Sequence, residues 1–408
     1  MSQNAENDEM PRRAPALATR LSHAGRPQDA SLPFVNPPIV RASTVLFESV
    51  GAMQGGKARY VYGRRGTPTS EALCDAMTDL EGAAGSVVTP SGLAAISVAL
   101  LSVVSAGDHL LVVDTAYHPC RHFCDTVLKR MGVETEYYDP AVGAGIAALF
   151  RPNTRAVYLE APGSLTFEMQ DVPAIAAAAR ARGIVSIMDN TWATPVFFRP
   201  LDHGIDITLL AATKYVGGHS DLMLGTVSAN AALWPAVKET SGSLGMFTGA
   251  DDMFAALRGL RTMDLRLRRH QESALAVARW LQGRPEVGRV LHPALETDPG
   301  HALWRRDFCG ATGLFGVVLA APYPSRAVAA MLDGLRWFGL GYSWGGFESL
   351  AIPADVALSR TATRFEAAGP LIRLHVGLED PADLIADLQD GFRRLTAVAA
   401  APADETDL

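Results

Sequence analysis

Apolar positions along this chain fall in short runs that alternate with stretches of helical spacing. "GSVVTP" predicts a strand, and "SGLAAISVALLSVV" predicts the helix behind it. The strand series continues through "DHLLVVD", "VETEYYD", "TRAVYLEAP", "IVSIMDNTW", "ITLLAAT" and "MLGTVSA". Helices are expected at "HPCRHFCDTVLKRMG", stopping at Gly132, and at "GAGIAALFR" and "VPAIAAAARARG". Buried strands separated by helices imply an α/β fold with a mostly parallel sheet covered on both faces. "DDMFAALRGLRTMDLRLRRHQESALAVARWLQG" reads as a long, charge-laced helical stretch with Gly259 as its candidate break. Beyond it, "GLFGVVLA" and "LIRLHVGL" read as short strands among the helices "SRAVAAMLDGLR" and "PADLIADLQDGFRRLT". That is a smaller α/β domain of different rhythm. Residues up to about Gly66 lack a clear period and read as an extended arm, and the tail "AVAAAPADETDL" reads as frayed. The expected division is an arm over 1–66, a large domain over 67–260 and a C-terminal domain over 261–408.

Composition narrows the class without changing this outline. With 408 residues, 48% hydrophobic and 19% charged, the chain has the balance of a compact protein with a large core. Acidic residues outnumber basic ones, 43 to 36, for a net charge of -7, which argues against nucleic acid as a partner. The arginines of the long helical stretch therefore read as a solvated or intersubunit face. "MSQNAENDEMPRRAPALATR" has no apolar core of signal-peptide length. "GLAAISVALLSVVSAG" falls short of the ~20 residues that a membrane span requires. Four cysteines in so long a chain do not suggest a disulfide framework, and the cytoplasm is the expected compartment.

Three features carry candidate chemistry. Lys214 follows the apolar run "ITLLAAT" and small residues that leave room for a ligand. It is either a surface lysine past a strand or an amine desolvated at the carboxyl edge of a sheet, able to form a Schiff base. Asp189 closes the run "SIMD" and would lie at the same edge. It is either a turn or cap residue, or the carboxylate partner of a protonated heterocyclic nitrogen. Ser91 and Gly92 open a helix after a strand, as a simple cap or as a phosphate cradle. No GxGxxG follows a strand, so the dinucleotide fingerprint is missing. Lysine, aspartate and helix start together are what a pyridoxal phosphate (PLP) site needs. "HPCRHFC" offers His118, Cys120, His122 and Cys124, but the two i,i+4 pairs point to different faces, so no metal is expected.

The chain resembles the Cys/Met-metabolism family of PLP enzymes, fold type I. The matching stretches are "YGRRGTPT", "DTAYHP", "LEAPGSLTFEMQDVPAI", "MDNTWATPVFF", "AATKYVGGHSD", "LRGLRT", "YSWGGFESL" and "LIRLHVGLED", spread from about residue 60 to residue 390. The resemblance implies that Lys214 holds the cofactor covalently and that Asp189 pairs with its ring nitrogen. Tyr117 would stack on the ring and assist proton transfer. Gly92, Leu93 and Thr213 would hold the phosphate, with Tyr62 and Arg64 reaching it from the neighbouring subunit. Arg373 would grip the substrate carboxylate, Ser343 would fix Arg373 or Lys214, and Trp344 and Tyr342 would line the pocket. Two departures stand out. Ala211 replaces a serine that many members use for phosphate, and Tyr342 stands where γ-eliminating members often carry glutamate. With "SWGG", that tyrosine resembles the β-lyases. The implied function is a carbon–sulfur β-lyase acting on a sulfur amino acid, L-cystathionine above others, as a homotetramer. The rivals are a γ-acting relative and a non-enzymatic PLP-binding regulator.

Overall fold

The computed structural model describes residues 14–27, 33–354 and 360–402. Seven strands make its larger sheet: β1 (Gly85–Thr89), β2 (His109–Val113), β3 (Glu134–Tyr138), β4 (Thr154–Glu160), β5 (Val185–Asp189), β6 (Ile207–Leu210) and β7 (Gly225–Ala229). Each coincides with an apolar run of the sequence. Their order is β1-β7-β6-β5-β4-β2-β3. From β3 across to β6 all neighbours are parallel, and only β7 runs against β1 and β6. β2 and β6 are buried at every position, as strands covered on both faces must be. The carboxyl ends of β4, β5 and β6 lie side by side, which puts Glu160, Asp189 and the turn carrying Lys214 on one edge.

A second sheet has the order β10-β11-β12-β9-β8. Its strands are β8 (Val287–Leu291), β9 (Leu314–Leu319), β10 (Phe338–Gly339), β11 (Ser349–Pro353) and β12 (Leu371–His375). Only β9 and β12 show in the apolar pattern. β8 is broken by Gly288 and Arg289, β10 is two residues long, and β11 is cut short by Pro353. Each sheet has its own hydrophobic core, and the helix Met263–Gln282 serves both. Met263 and Leu267 pack into the first core, and Ala274, Val277, Ala278 and Leu281 into the second. Among the described residues no helix is long and apolar enough to cross a membrane.

Four local expectations change. The arm contains a helix, Leu17–His23, which packs against the helices Pro68–Glu81 and Met263–Gln282 and buries Leu21. "GAGIAALFR" lies within a 3₁₀ stretch, Pro140–Leu149, kinked at Gly143, whose φ of 51° no regular helix accommodates. The C-terminal helix continues to Ala400, so most of "AVAAA" is helical rather than frayed. The remaining expectations for residues 1–13, 28–32 and 403–408 lie outside the described residues.

The fourth change concerns Gly259. The helices Ala250–Leu260 and Met263–Gln282 part at Arg261 and Thr262, not at the glycine. A Cβ on Gly259 would lie 2.3 Å from the Gly217 carbonyl oxygen and 2.4 Å from that of Val216. Glycine thus lets the helix rest directly on the turn that follows Lys214. Arg266 completes the contact, donating to the carbonyls of Val216 (3.4 Å) and Gly259 (2.8 Å). Its guanidinium is buried, so it is a brace and not the solvated arginine the charge pattern suggests. Gly259→Ala gains about 1 kcal/mol of helix propensity. Overpacking costs about 1–3 kcal/mol, and backbone carbonyls yield less easily than side chains. The variant is expected to melt several degrees lower and to hold cofactor less tightly; equal or raised melting temperature would contradict the contact.

Candidate active site

Lys214 sits where its surroundings remove water and add charge. After β6 the chain turns tightly: Lys214 N–H donates to Ala211 (2.9 Å), and Gly218 N–H donates back to Lys214 (2.7 Å). Thr213 clamps this turn to the strand beyond, because its hydroxyl donates to the Leu224 carbonyl (3.1 Å) and accepts the Leu224 N–H (2.9 Å). Lys214 Nζ donates to Ser343 Oγ at 2.5 Å and lies 5.3 Å from the centre of the Trp344 ring. Ser343 adopts φ 79°, a left-handed conformation costly for a residue with a side chain. Its neighbour Gly345 (φ 85°) presses on the Lys214 backbone. Ser343 also fixes Arg373, whose Nη2 donates to the Ser343 carbonyl at 3.0 Å. One residue therefore touches both the amine and the guanidinium.

The electrostatics follow from this crowding. Burial and then the nearby Arg373 charge push the Lys214 ammonium down from 10.5 to about 8, against the pull of Asp189. Burial pushes Arg373 down to about 10. Tyr117 is raised, mainly by burial and next by Glu160 and Asp189, with Arg373 opposing. Asp189 is buried, and its Oδ1 accepts both the N–H (2.9 Å) and the hydroxyl (2.5 Å) of Thr191. That hydroxyl in turn accepts the Ala211 N–H at 2.8 Å. Lys214, Arg373, Tyr117 and Asp189 thus share one electrostatic neighbourhood, assembled from three strand ends of the first sheet and strand β12 of the second.

A phosphate has a place at the helix Gly92–Leu101. Ser91 caps it, accepting the N–H of Ala94 on its side chain (3.1 Å) and that of Ala95 on its carbonyl (3.1 Å). The amides of Gly92 and Leu93 make no hydrogen bond among the described residues. A Cβ on Gly92 would lie 2.6 Å from Ala211 Cβ, so the helix start and the lysine turn are in close contact. Ala211 is therefore a packing residue here. Thr213 has its only hydroxyl hydrogen committed to Leu224, which shifts the phosphate reading from its side chain to the two open amides. The residues fit PLP: a desolvated amine, a buried carboxylate and two free amides at a helix start match aldehyde, ring nitrogen and phosphate.

Tyr62 and Arg64 are not brought to this cluster within one chain. Arg64 is exposed and donates to the Gly242 carbonyl (2.8 Å), while Tyr62 pairs with Thr44 and is half exposed. Tyr342 is 92% exposed at the mouth of the cleft, beside Arg373. On the "HPCRHFC" helix the cysteines are buried and the histidines exposed, so the pairs do face opposite ways. Among the described residues no group of three or more candidate metal ligands occurs. Two residues went unremarked in the sequence. Glu160 ends "YLE" as Asp189 ends "IMD", a parallel that could have flagged it. Arg266 carried no signal, because one arginine among many does not announce its burial.

Fold and site together define a fold type I PLP enzyme. The chain matches the family described as Cys/Met metabolism PLP-dependent enzyme over residues 18–393, and it belongs to that family. A Rhizobium johnstonii protein provisionally named a cystathionine beta-lyase is 59% identical over 385 residues, covering 94% of this chain and 97% of its own. Cystathionine beta-lyase MetC of Escherichia coli is 46% identical over 389 residues, covering 93% and 98%. The crystal structure of cystathionine gamma synthase from Xanthomonas oryzae pv. oryzae, in complex with aminoacrylate and cysteine, superposes with a TM-score of 0.87 at 35% identity, covering 94% of this chain and all of that one.

The lowered Lys214 value has a measurable consequence. The folded value lies below the unfolded one, so the unfolded chain binds more protons between about pH 8 and 10.5. The stability of cofactor-free protein should therefore gain a rising component across that window. Lys214→Met should remove that component and be the more stable protein at neutral pH. Urea unfolding of both cofactor-free proteins checks this; parallel pH profiles would contradict it.

Proposed function

We propose that this protein is a PLP-dependent carbon–sulfur β-lyase that cleaves L-cystathionine to homocysteine, pyruvate and ammonia. The observation that carries it is the shared hold of Ser343 on Lys214 and Arg373. It puts a proton acceptor beside a carboxylate clamp, as removal of an amino-acid α-proton requires. The β-lyase relatives support the choice among family reactions, and so does Tyr342, which offers no carboxylate at the mouth of the cleft.

Each residue has a distinct task. Arg373 keeps Nε and Nη1 for the substrate carboxylate while Nη2 stays on the loop carbonyls, so substrate binding need not release the loop. Lys214, with a value near 8, is a base of the right strength for neutral pH once it is free. It takes the α-proton at Nζ, and Ser343 Oγ holds that atom on one side of the cleft. PLP, when bound, supplies the electrophilic carbon for the amine and a ring that delocalises the α-carbon charge. The Cβ–S bond then breaks, and the sulfur leaves as a thiolate that is protonated to homocysteine. The remaining three-carbon enamine hydrolyses to pyruvate and ammonia. Tyr117 would cover the ring face, and Asp189 would keep the ring nitrogen protonated. The four free cysteines support a reducing, cytoplasmic setting.

Purified enzyme given L-cystathionine should release pyruvate in step with homocysteine. Release of 2-oxobutyrate as the main keto acid would move it to the γ-acting reading. No turnover from fully loaded protein would favour the regulator.

We further infer a site shared between subunits, within a dimer of dimers. A dianionic phosphate at Gly92 and Leu93 meets two amides and would take a cation besides, and Arg64 stands exposed on the arm. An isologous dimer makes each subunit donor and recipient. Exposed Phe34, Val35, Leu46, Val50 and Met53 on the same arm support its burial against a second copy. Arg64→Ala and Lys214→Ala should each be nearly inactive. Mixed and reassembled, they should regain roughly a quarter of wild-type activity, since half of randomly paired dimers hold one intact site. Demonstrated exchange without recovery would exclude sharing.

A further inference from the structure

Beside Asp189 stands a second carboxylate without a role in the chemistry above. β4 and β5 run parallel with Glu160 directly opposite Asp189, so both side chains leave the same face at the carboxyl edge. Glu160 is partly buried at the carboxyl end of β4. Its titratable neighbours are Asp189, Tyr158 on its own strand, and Tyr117 and Cys120 beyond β2. None of them is a cation. Two like charges one strand apart, away from bulk water, cannot both persist cheaply. The hydrogen bonds decide which acid keeps its proton.

Asp189 accepts two donors from Thr191, one of them polarised by the Ala211 amide. Burial raises Asp189 as well, but these hydrogen bonds and the nearby Lys214 charge oppose it. Glu160 accepts one, the Tyr117 N–H at 2.8 Å on Oε2. We propose that Glu160 is the neutral member of this pair in the cofactor-loaded enzyme and acts as a positioning residue. Its carboxyl oxygen holds the Tyr117 backbone, and the single negative charge stays on Asp189. The proposal rests on the assignment of Asp189 and Tyr117 to the PLP ring. Burial, and next the Asp189 charge, push Glu160 well above the usual carboxylate range, in the same sense.

Glutamine is then the faithful copy of this residue, since its amide oxygen accepts the same N–H and it carries no charge. Loaded Glu160→Gln should bind PLP as tightly as wild type, with the same absorption spectrum and the same kcat. Glu160→Ala loses the acceptor for Tyr117, and a misplaced ring partner should lower kcat about 10- to 100-fold with little change in KM. The infrared difference between loaded wild type and Glu160→Gln at neutral pH should contain the carbonyl band of a protonated carboxylic acid. A carboxylate band there instead, or a Gln variant as impaired as the Ala variant, would overturn the proposal. Spectrum and cofactor affinity judge Glu160 without any substrate. A wild type that binds PLP but does not cleave cystathionine would sink the β-lyase reading alone.

Discussion

Everything in this site turns on keeping two cations close together out of water. Burial lowers both Lys214 and Arg373, and the Arg373 charge lowers the lysine further. The repulsion has a use. An amine with a value near 10.5 is a poor proton acceptor at neutral pH, and one near 8 is a usable one. Asp189 limits the effect by drawing the lysine back up. A neutral Glu160 at its side leaves that balance at one anion against two cations, and an amino-acid carboxylate would complete it.

The sheet makes this arrangement possible because parallel strands put their carboxyl ends on one edge. Register alone sets Glu160 beside Asp189. The chain Ala211 N–H to Thr191 hydroxyl to Asp189 then ties the end of β5 to the turn after β6. Below that turn, Gly259 and Arg266 brace it from the helix pair. The second sheet is docked at the same edge by Asp114, just past β2. Its carboxylate accepts the N–H groups of Thr361 (3.0 Å), Ala362 (3.1 Å) and Thr363 (2.8 Å) and pairs with Arg121 at 2.9 Å. Asp114 lies three residues before Tyr117, so the segment carrying Tyr117 and the loop that leads towards β12 share one anchor.

How much of this could be read from the sequence depends on what each residue does alone. The inner strands of the first sheet were legible because burial on both faces forces apolar runs, and Lys214 and Asp189 because a charge ending such a run is conspicuous. β8, β10 and β11 were hidden by brevity, glycine and proline. Arg266 looked like its solvated neighbours, since helical spacing gives a residue's direction only relative to a core not yet built. The Thr213 hydroxyl is the converse case. The family resemblance gave it to the phosphate, while its partner Leu224 lies eleven residues on and is set by the turn geometry. Tyr62 and Arg64 could be placed only by resemblance, because no pattern within one chain points to a partner.

The site is also a place where the fold works against itself. Ser343 in a left-handed conformation costs on the order of 1–3 kcal/mol. A desolvated lysine and two unpaired helix amides add to that. Such strain persists only where the surroundings over-determine it, and here they do. Ser343 is held by Lys214 and Arg373, and Gly345 N–H donates to buried His375 at 3.1 Å. His375 lies two residues beyond Arg373 on β12, on the same face of the strand. One strand therefore carries both Arg373 and the peg behind the strained loop, which ties the loop to the arginine. On the proposed assignments, relief would come from ligands instead: phosphate at the amides, the cofactor on the amine, a carboxylate at the guanidinium. Each removes a cost the empty fold carries, so the energy stored in folding this edge becomes part of the affinity for what binds there.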